Sequence, residues 1–370
     1  MPVNSLMKQN SLLVNLSVLS SKPTGLSNYS FNLSKVICTS KATTFLSHQK
    51  PDFIKVPSQW IQIPNGLNTD FGKIGHLKRL LWLQFILPKI FKKLSSTLLF
   101  SPVPEAPIYT DVRHVITVHD IIPLRFSAKH FSPLKTYFKH YVPTVLNYAE
   151  HILADSEATA QDLRSFYDIS LSKVTVIPLS YDADNFRFLD LPTQDYFVYL
   201  GRFDLHKNLK RIIAAFFESN LYKNYKLHLV GSLQSPYLPE LKAYIQDLGL
   251  TDAVLFFDYI SYQDLPVVLN QSLALVLPSL WEGFGLPVLE AMACGTPVIT
   301  SNISSLPEVA GDAAILVDPY NVAEIADAMK AIATNSQLRK ELRYKGLKRA
   351  AQFSWEKTAR LTMEVLYQHM

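Results

Sequence analysis

A chain of 370 residues is long for one core and sufficient for two domains. Its 48% hydrophobic and 18% charged content excludes a disordered chain, and its two distant cysteines, Cys38 and Cys294, argue against a disulfide framework or zinc site and for a reducing compartment. The net charge of +5 is uneven, with twelve basic residues against two acids through residue 100; this points to an anionic partner for the first domain, a membrane surface or a polyanionic acceptor, and no motif supports nucleic acid.

In chain order, short apolar runs predict strands at 12–19, 97–100, 114–118, 151–154 and 174–178. A second series follows at 196–200, 226–230, 254–257, 274–278, 297–300 and 314–317. The run 12–19 is interrupted by Asn15 and Ser17, is too short to span a membrane, and lacks a cleavage pattern, so it reads as a core strand. Region 40–70 is poorly patterned. Stretch 73–93 is basic and apolar, and two readings compete for it. The favoured one is a long helix packed on the sheet, basic outside, kinked or ended by Pro88. The other lays it in a membrane interface with Trp82 and Phe85 buried.

Helical patterns between the strands predict an α/β chain with parallel sheets covered on both faces. Turn-forming residues across 183–195 set a boundary. The expected division is 1–185, 186–352 and a last helical segment, 353–370, crossing back to the first domain. Two doubly wound domains facing each other would bind ligands at the carboxyl ends of their strands.

The segment 279–295 follows the strand at 274–278. Gly283 and Gly285 let successive amides point at one ligand, Pro287 suits a first helical turn and Gly295 a helix end. A helix N-terminus aimed at the ligand favours phosphate. Glu282 stands before this helix and Glu290 inside it. A carboxylate can accept both hydroxyls of a ribose, and a second can hold sugar hydroxyls or support positive charge at an anomeric carbon. The loop after the strand 196–200 carries Gly201, Arg202 and Lys207, two cations that can clamp a diphosphate and stabilise it as a leaving group. Alone, those cations read as solvated; beside the glutamate segment they do not.

Among the histidines, His119 stands out because it ends the strand at 114–118, and Asp120 either orients it or caps a turn. His206 reads as a solvated loop residue, and Ser156 as a helix cap for 157–166.

These segments resemble the retaining glycosyltransferases of family 4. Glu282 and Glu290 match that family's paired-glutamate motif, and Gly201–Arg202 with Lys207–Asn208 its phosphate motif. Weaker matches are residues 23–29, around Gly25; 117–123, around His119; 154–157; and 353–356. The wording of the Glu282 segment and of 304–311 most resembles bacterial mannosyltransferases that build surface polysaccharides. Two departures are Ser180 where many members have glycine, which implies a reshaped turn, and Ser27 in place of a second loop glycine.

The resemblance implies a GT-B fold. The cysteine usage implies a cytoplasmic enzyme, and the membrane-interface reading of 73–93 would make it peripheral at the inner face of a membrane. By the resemblance it would transfer a hexosyl group, mannosyl or glucosyl, from a GDP- or UDP-linked sugar to a saccharide or lipid-linked acceptor. Carried over by position, Arg202 and Lys207 bind the pyrophosphate, Glu290 the ribose and Glu282 the transferred sugar. Backbone amides of Phe284, Gly285 and Leu286, beside Gly283, contact sugar and phosphate. His119 lies near the reacting sugar, and Gly25 lets its loop approach phosphate. No cofactor or metal is expected, since the cations and helix dipoles take a metal's place. The alternative is a non-catalytic sugar-nucleotide-binding subunit. A glycoside hydrolase using the two glutamates leaves the Arg202 loop unexplained.

Overall fold

The computed structural model describes residues 11–20, 25–38, 42–56, 59–126, 133–258 and 260–370. The chain divides into two compact units, Met1–Leu179 with Trp355–Met370, and Ser180–Ser354. Pro23 and Thr24 of the first glycine loop, and 127–131 of the loop after His119, lie outside the described residues.

The first unit holds seven strands: β1 (Leu12–Asn15), β2 (Thr43–Ser47), β3 (Trp60–Gln62), β4 (Leu98–Ser101), β5 (His114–Val118), β6 (His151–Ala154) and β7 (Val174–Val176). Their order is β3-β2-β1-β4-β5-β6-β7, with every neighbouring pair parallel. Strands β1, β4 and β5 are wholly buried, which is why apolar residues dominate them on both faces, with Asn15, Ser101, His114 and Thr117 the buried polar exceptions. The first of them ends sooner than expected. Asn15 turns its side chain to Ser101 Oγ and accepts from the Ser17 amide, so the polar residues that interrupt the run also end the strand.

Two strands were not expected. Both β2 and β3 lie in the region 40–70. Only Phe45 and Leu46 of β2 carry a core signal, and β3 is an edge strand with no fully buried residue. An edge strand is held by backbone pairing on one side and needs little apolar sequence.

The stretch at 73–93 forms two helices. Helix α1 is Gly25–Ile37; α2 runs Gly72–Phe85, the chain breaks at Ile86, and α3 runs Leu87–Lys93 with Pro88 in its first turn. Gly75, Arg79, Trp82 and Leu83 form the buried face of α2. Arg79 is not part of the basic surface: it makes a two-pronged pair with Glu105, at 2.6 and 2.8 Å, inside the unit. Trp82 belongs to the core, which fits the favoured reading of a helix packed on the sheet and corrects the competing one that placed Trp82 in a membrane interface. The final helix, Trp355–His369, lies against α1, and Thr358 Oγ1 donates to the Pro178 carbonyl at 2.8 Å.

The second unit holds β8 (Tyr196–Leu200), β9 (Lys226–Val230), β10 (Val254–Phe257), β11 (Ala274–Leu277), β12 (Val298–Ser301) and β13 (Ile315–Val317). The order is β10-β9-β8-β11-β12-β13, again all parallel. All six follow the expected runs to within a residue. Strand order reverses between β8 and β11. In doubly wound sheets the ligand crevice opens at the carboxyl ends flanking such a reversal. Among the described residues no helix is long and apolar enough to cross a membrane.

Candidate active site

The two loops at that reversal carry the residues singled out in the sequence. After β8 the backbone passes through Gly201 at φ +150, where a side chain would be strained. The loop is braced from below. Tyr199, fully buried, donates its hydroxyl to the Arg202 carbonyl at 2.6 Å. Gly231, just past β9, has no room for a Cβ, which would collide with the Gly201 carbonyl oxygen. Arg202 then stands out in solvent, 82% exposed, with Asp204 beside it at 3.1 Å.

A short turn, Leu205–Lys207, leads to Asn208 in a left-handed conformation. The buried Asn208 amide donates to the carbonyls of Pro278 and Pro319, at 2.9 and 2.7 Å. It thereby ties the loop after β8 to those after β11 and β13. His206 is buried, not solvated as expected; burial, then the neighbouring Lys207 charge, pushes its pKa down to about 4.

Lys207 reaches across to Glu282: Nζ lies 2.7 Å from both carboxylate oxygens. Ser279 Oγ also donates to Glu282 Oε1, at 2.7 Å. The Glu282 loop is pinned from the far side, a feature not legible in its own wording. Ser304 Oγ accepts from the Glu282 amide, and the fully buried Ser305 hydroxyl reaches the Glu282 and Phe284 carbonyls at 3.0 and 2.8 Å. Past Gly283, Phe284 is buried and Gly285 adopts φ +111. The helix Leu286–Ala293 starts there with Pro287 in its first turn and closes at Gly295, φ +70. Its N-terminal amides carry the partial positive charge that suits an anion.

Glu290 lies within that helix, partly buried. Its carboxylate makes no hydrogen bond among the described residues. Burial, and then the charge of Asp182, raise its pKa to about 7. Asp182 was not anticipated. It follows Ser180, which is buried, and it accepts a long bond from Tyr262 at 3.4 Å.

In the first unit, His119 pairs with Asp155 rather than Asp120. Its Nδ1 lies 2.6 Å from Asp155 Oδ2, and Nε2 lies 2.9 Å from the Pro102 carbonyl. The register explains the partner: Val118 of β5 pairs with Ala154 of β6, so the next residue of each strand emerges beside the other. Asp120 instead accepts from the Ile122 amide, at 2.9 Å, as a turn cap. Burial lowers the His119 pKa, but the Asp155 charge and hydrogen bond outweigh it and raise it. An imidazolium donates to both of these acceptors, which neutral histidine does not. Both ring nitrogens are thus engaged within the unit. Tyr29 packs edge-on against the ring with centroids 4.7 Å apart. Ser156 caps Glu157–Tyr167 by accepting from the Thr159 amide. Gly25 opens α1, and a Cβ there would meet nothing within 4 Å. Ser27, in the same helix, accepts from the Ser20 amide at 3.4 Å. Among the described residues no group of three or more His, Cys, Asp or Glu stands where it could hold a metal ion.

Residues 181–349 match the family model "Glycosyl transferases group 1", and residues 36–185 match "Glycosyltransferase Family 4". The chain is 30% identical over 268 residues, 68% of its length, to the serotype-specific mannosyltransferase WbdA of Escherichia coli, but spans only 33% of that protein. It is 27% identical to the O-antigen chain mannosyltransferase RfbU of Salmonella typhimurium, covering 87% of this chain and 90% of that one. Among solved structures, a sucrose-phosphate synthase from Thermosynechococcus elongatus superposes with TM-score 0.76 at 20% identity, over 97% of this chain and 98% of the other. Anabaena HepE, solved in complex with UDP-glucose, gives TM-score 0.74 at 17% identity, over 97% and 100%. The fold is GT-B, and the chain belongs to the group 1 glycosyltransferases, a family of enzymes.

Proposed function

We propose that the chain transfers a hexosyl group, mannosyl or glucosyl, from a GDP- or UDP-linked sugar to a saccharide or lipid-linked acceptor, with retention at the anomeric carbon. One observation carries this reading: Lys207 and Glu282, on separate loops at the strand-order reversal, are held 2.7 Å apart beside the glycine-started helix Leu286–Ala293. A cation, a carboxylate and a ring of amides in one place suit a sugar diphosphate.

In this reading Arg202 swings from solvent onto the pyrophosphate, and Lys207 moves from Glu282 to share it. Both cations, with the amides of Phe284, Gly285 and Leu286, stabilise the leaving diphosphate as charge develops. Glu282, released from Lys207, accepts hydroxyls of the transferred sugar. Glu290, whose carboxylate has no hydrogen bond among the described residues, accepts the ribose hydroxyls. In the first unit, His119 is assigned to a sugar hydroxyl, which its Nε2 takes in exchange for the Pro102 carbonyl, and Gly25 to a place that phosphate can approach. The acceptor oxygen bonds the anomeric carbon on the face the diphosphate leaves. The mannosyl preference rests on the names of WbdA and RfbU.

The test is release of nucleoside diphosphate from a panel of GDP- and UDP-hexoses in the presence of an acceptor pool, with mass spectrometry of the products. Turnover lost in Glu282→Ala and Lys207→Ala supports the reading. Tight nucleotide-sugar binding without turnover of any donor would replace it with a non-catalytic binding subunit.

A further inference from the structure

We infer that the outer face of α2, with the lysines of α2 and α3, is a docking surface for an anionic lipid bilayer. The inference stands independently of the donor and acceptor assigned above. Opposite the buried face of α2 runs a second apolar stripe: Ile74, Leu77, Leu81 and Phe85 are 67, 58, 51 and 65% exposed. Their spacing of three, four and four keeps them in one line along the helix. Phe71, one turn before, and Ile86, at the break before α3, extend it and are also exposed. A surface helix ordinarily turns a polar face outward; one apolar on both sides has something to cover the second face.

Charge identifies the cover. Lys73, Lys78, Lys89, Lys92 and Lys93 are all exposed around this stripe, and the segment 71–94 contains no acid. A second copy of the chain on the same face would bring these ammonium groups together with no carboxylate on the segment to offset them. A bilayer with anionic head groups complements both features. The apolar side chains enter the acyl boundary while the lysines reach back to lipid phosphates. With 14 residues, α2 is suited to lie in the interface rather than to span it. The anchors differ from those the sequence pointed to: Phe85 is available, but Trp82 faces the core.

The test is flotation of the full chain with phosphatidylcholine vesicles and with vesicles that also contain phosphatidylglycerol, at low and high salt. The expected result is recovery with the anionic vesicles, weakened by salt, and little with the neutral ones. Two variants separate the contributions: Leu77→Ser/Leu81→Ser/Phe85→Ser, and Lys89→Glu/Lys92→Glu/Lys93→Glu. Every altered side chain is exposed, so both variants keep the wild-type far-UV circular dichroism and melting temperature. Each lowers partition onto anionic vesicles by about tenfold. Equal recovery with both vesicle types, recovery with neither, or unchanged binding in both variants overturns the proposal. So does reversible self-association that the triple serine variant abolishes, in a protein that binds no vesicle.

Discussion

Lys207 and Glu282 hold each other: the lysine Nζ sits 2.7 Å from both oxygens of the carboxylate, and the pair links the loop after β8 to the loop after β11. Side chains 15% and 8% exposed are well shielded, so removing either one strands the other. Lys207→Ala or Glu282→Ala is expected to destabilise the protein by about 2–4 kcal/mol in urea unfolding. The double variant should cost clearly less than the sum, a coupling of roughly 1–3 kcal/mol. Transfer should fall by about 10²–10³ in either single variant. Additive losses of stability would show that the contact is incidental.

Glu290 gives a pH dependence with a definite sign. Its pKa, raised from 4.5 to about 7, means the native state holds a proton that the unfolded state has released. Stability therefore falls as pH rises between those values. Glu290→Gln removes this fall. It is expected to melt like the wild type near about pH 4 and to be about 1–3 kcal/mol more stable near pH 8. If the ionised carboxylate accepts the ribose, nucleoside diphosphate affinity in the wild type weakens as pH drops through about 7 and is weak and flat in the variant. Calorimetric titration at several pH values checks both.

His119 has the same sign, in a pH window that begins higher. A histidine whose pKa is raised by its carboxylate partner contributes stability that is complete below its unfolded value of about 6.5 and is lost as pH climbs through the raised value. Asp155→Asn is expected to lower the imidazole pKa, seen by NMR, and to cost about 2–4 kcal/mol at acidic pH. The cost should shrink in alkaline solution. Asp120→Asn lowers the imidazole pKa by less than Asp155→Asn, because Asp120 acts on the ring through its charge alone while its carboxylate caps the Ile122 amide.

Gly231→Ala tests the brace beneath the Arg202 loop. Its Cβ would strike the Gly201 carbonyl, a backbone atom with no rotamer to yield. The expected cost is about 1–3 kcal/mol, with donor affinity weakened through the displaced loop. Gly249→Ala is a poor control because Gly249 adopts φ +66, whereas Gly25→Ala meets open space and should leave stability nearly unchanged.

The second unit was largely legible because its six strands are apolar runs separated by clear turn chemistry. The first unit was less so where β2 and β3 rely on backbone pairing rather than side chains: Trp60–Gln62 carries no period and no buried residue. In the site, sequence supplied the residue types but not their partners. Asp155 as the mate of His119 follows from strand register, and that requires knowing that β5 and β6 are neighbours. Ser304 and Ser305 stand more than twenty residues from the loop they pin, so nothing local in Glu282's own segment reveals them. His206 misled because its neighbour Lys207 is charged, yet the short turn folds the imidazole inward.

Asn208 has a further consequence for how the second unit meets a ligand. One side-chain amide fastens three loop ends, at its own position, at Pro278 and at Pro319. Such a rim is set at the moment of folding, before any donor arrives. The entropy of ordering it is already spent, so on the proposed reading association asks for the swing of long side chains such as Arg202 and the exchange of Lys207 between anions. Recognition at this rim should behave as a charge-relay between fixed walls, fast and salt-sensitive, rather than as the closing of a soft loop.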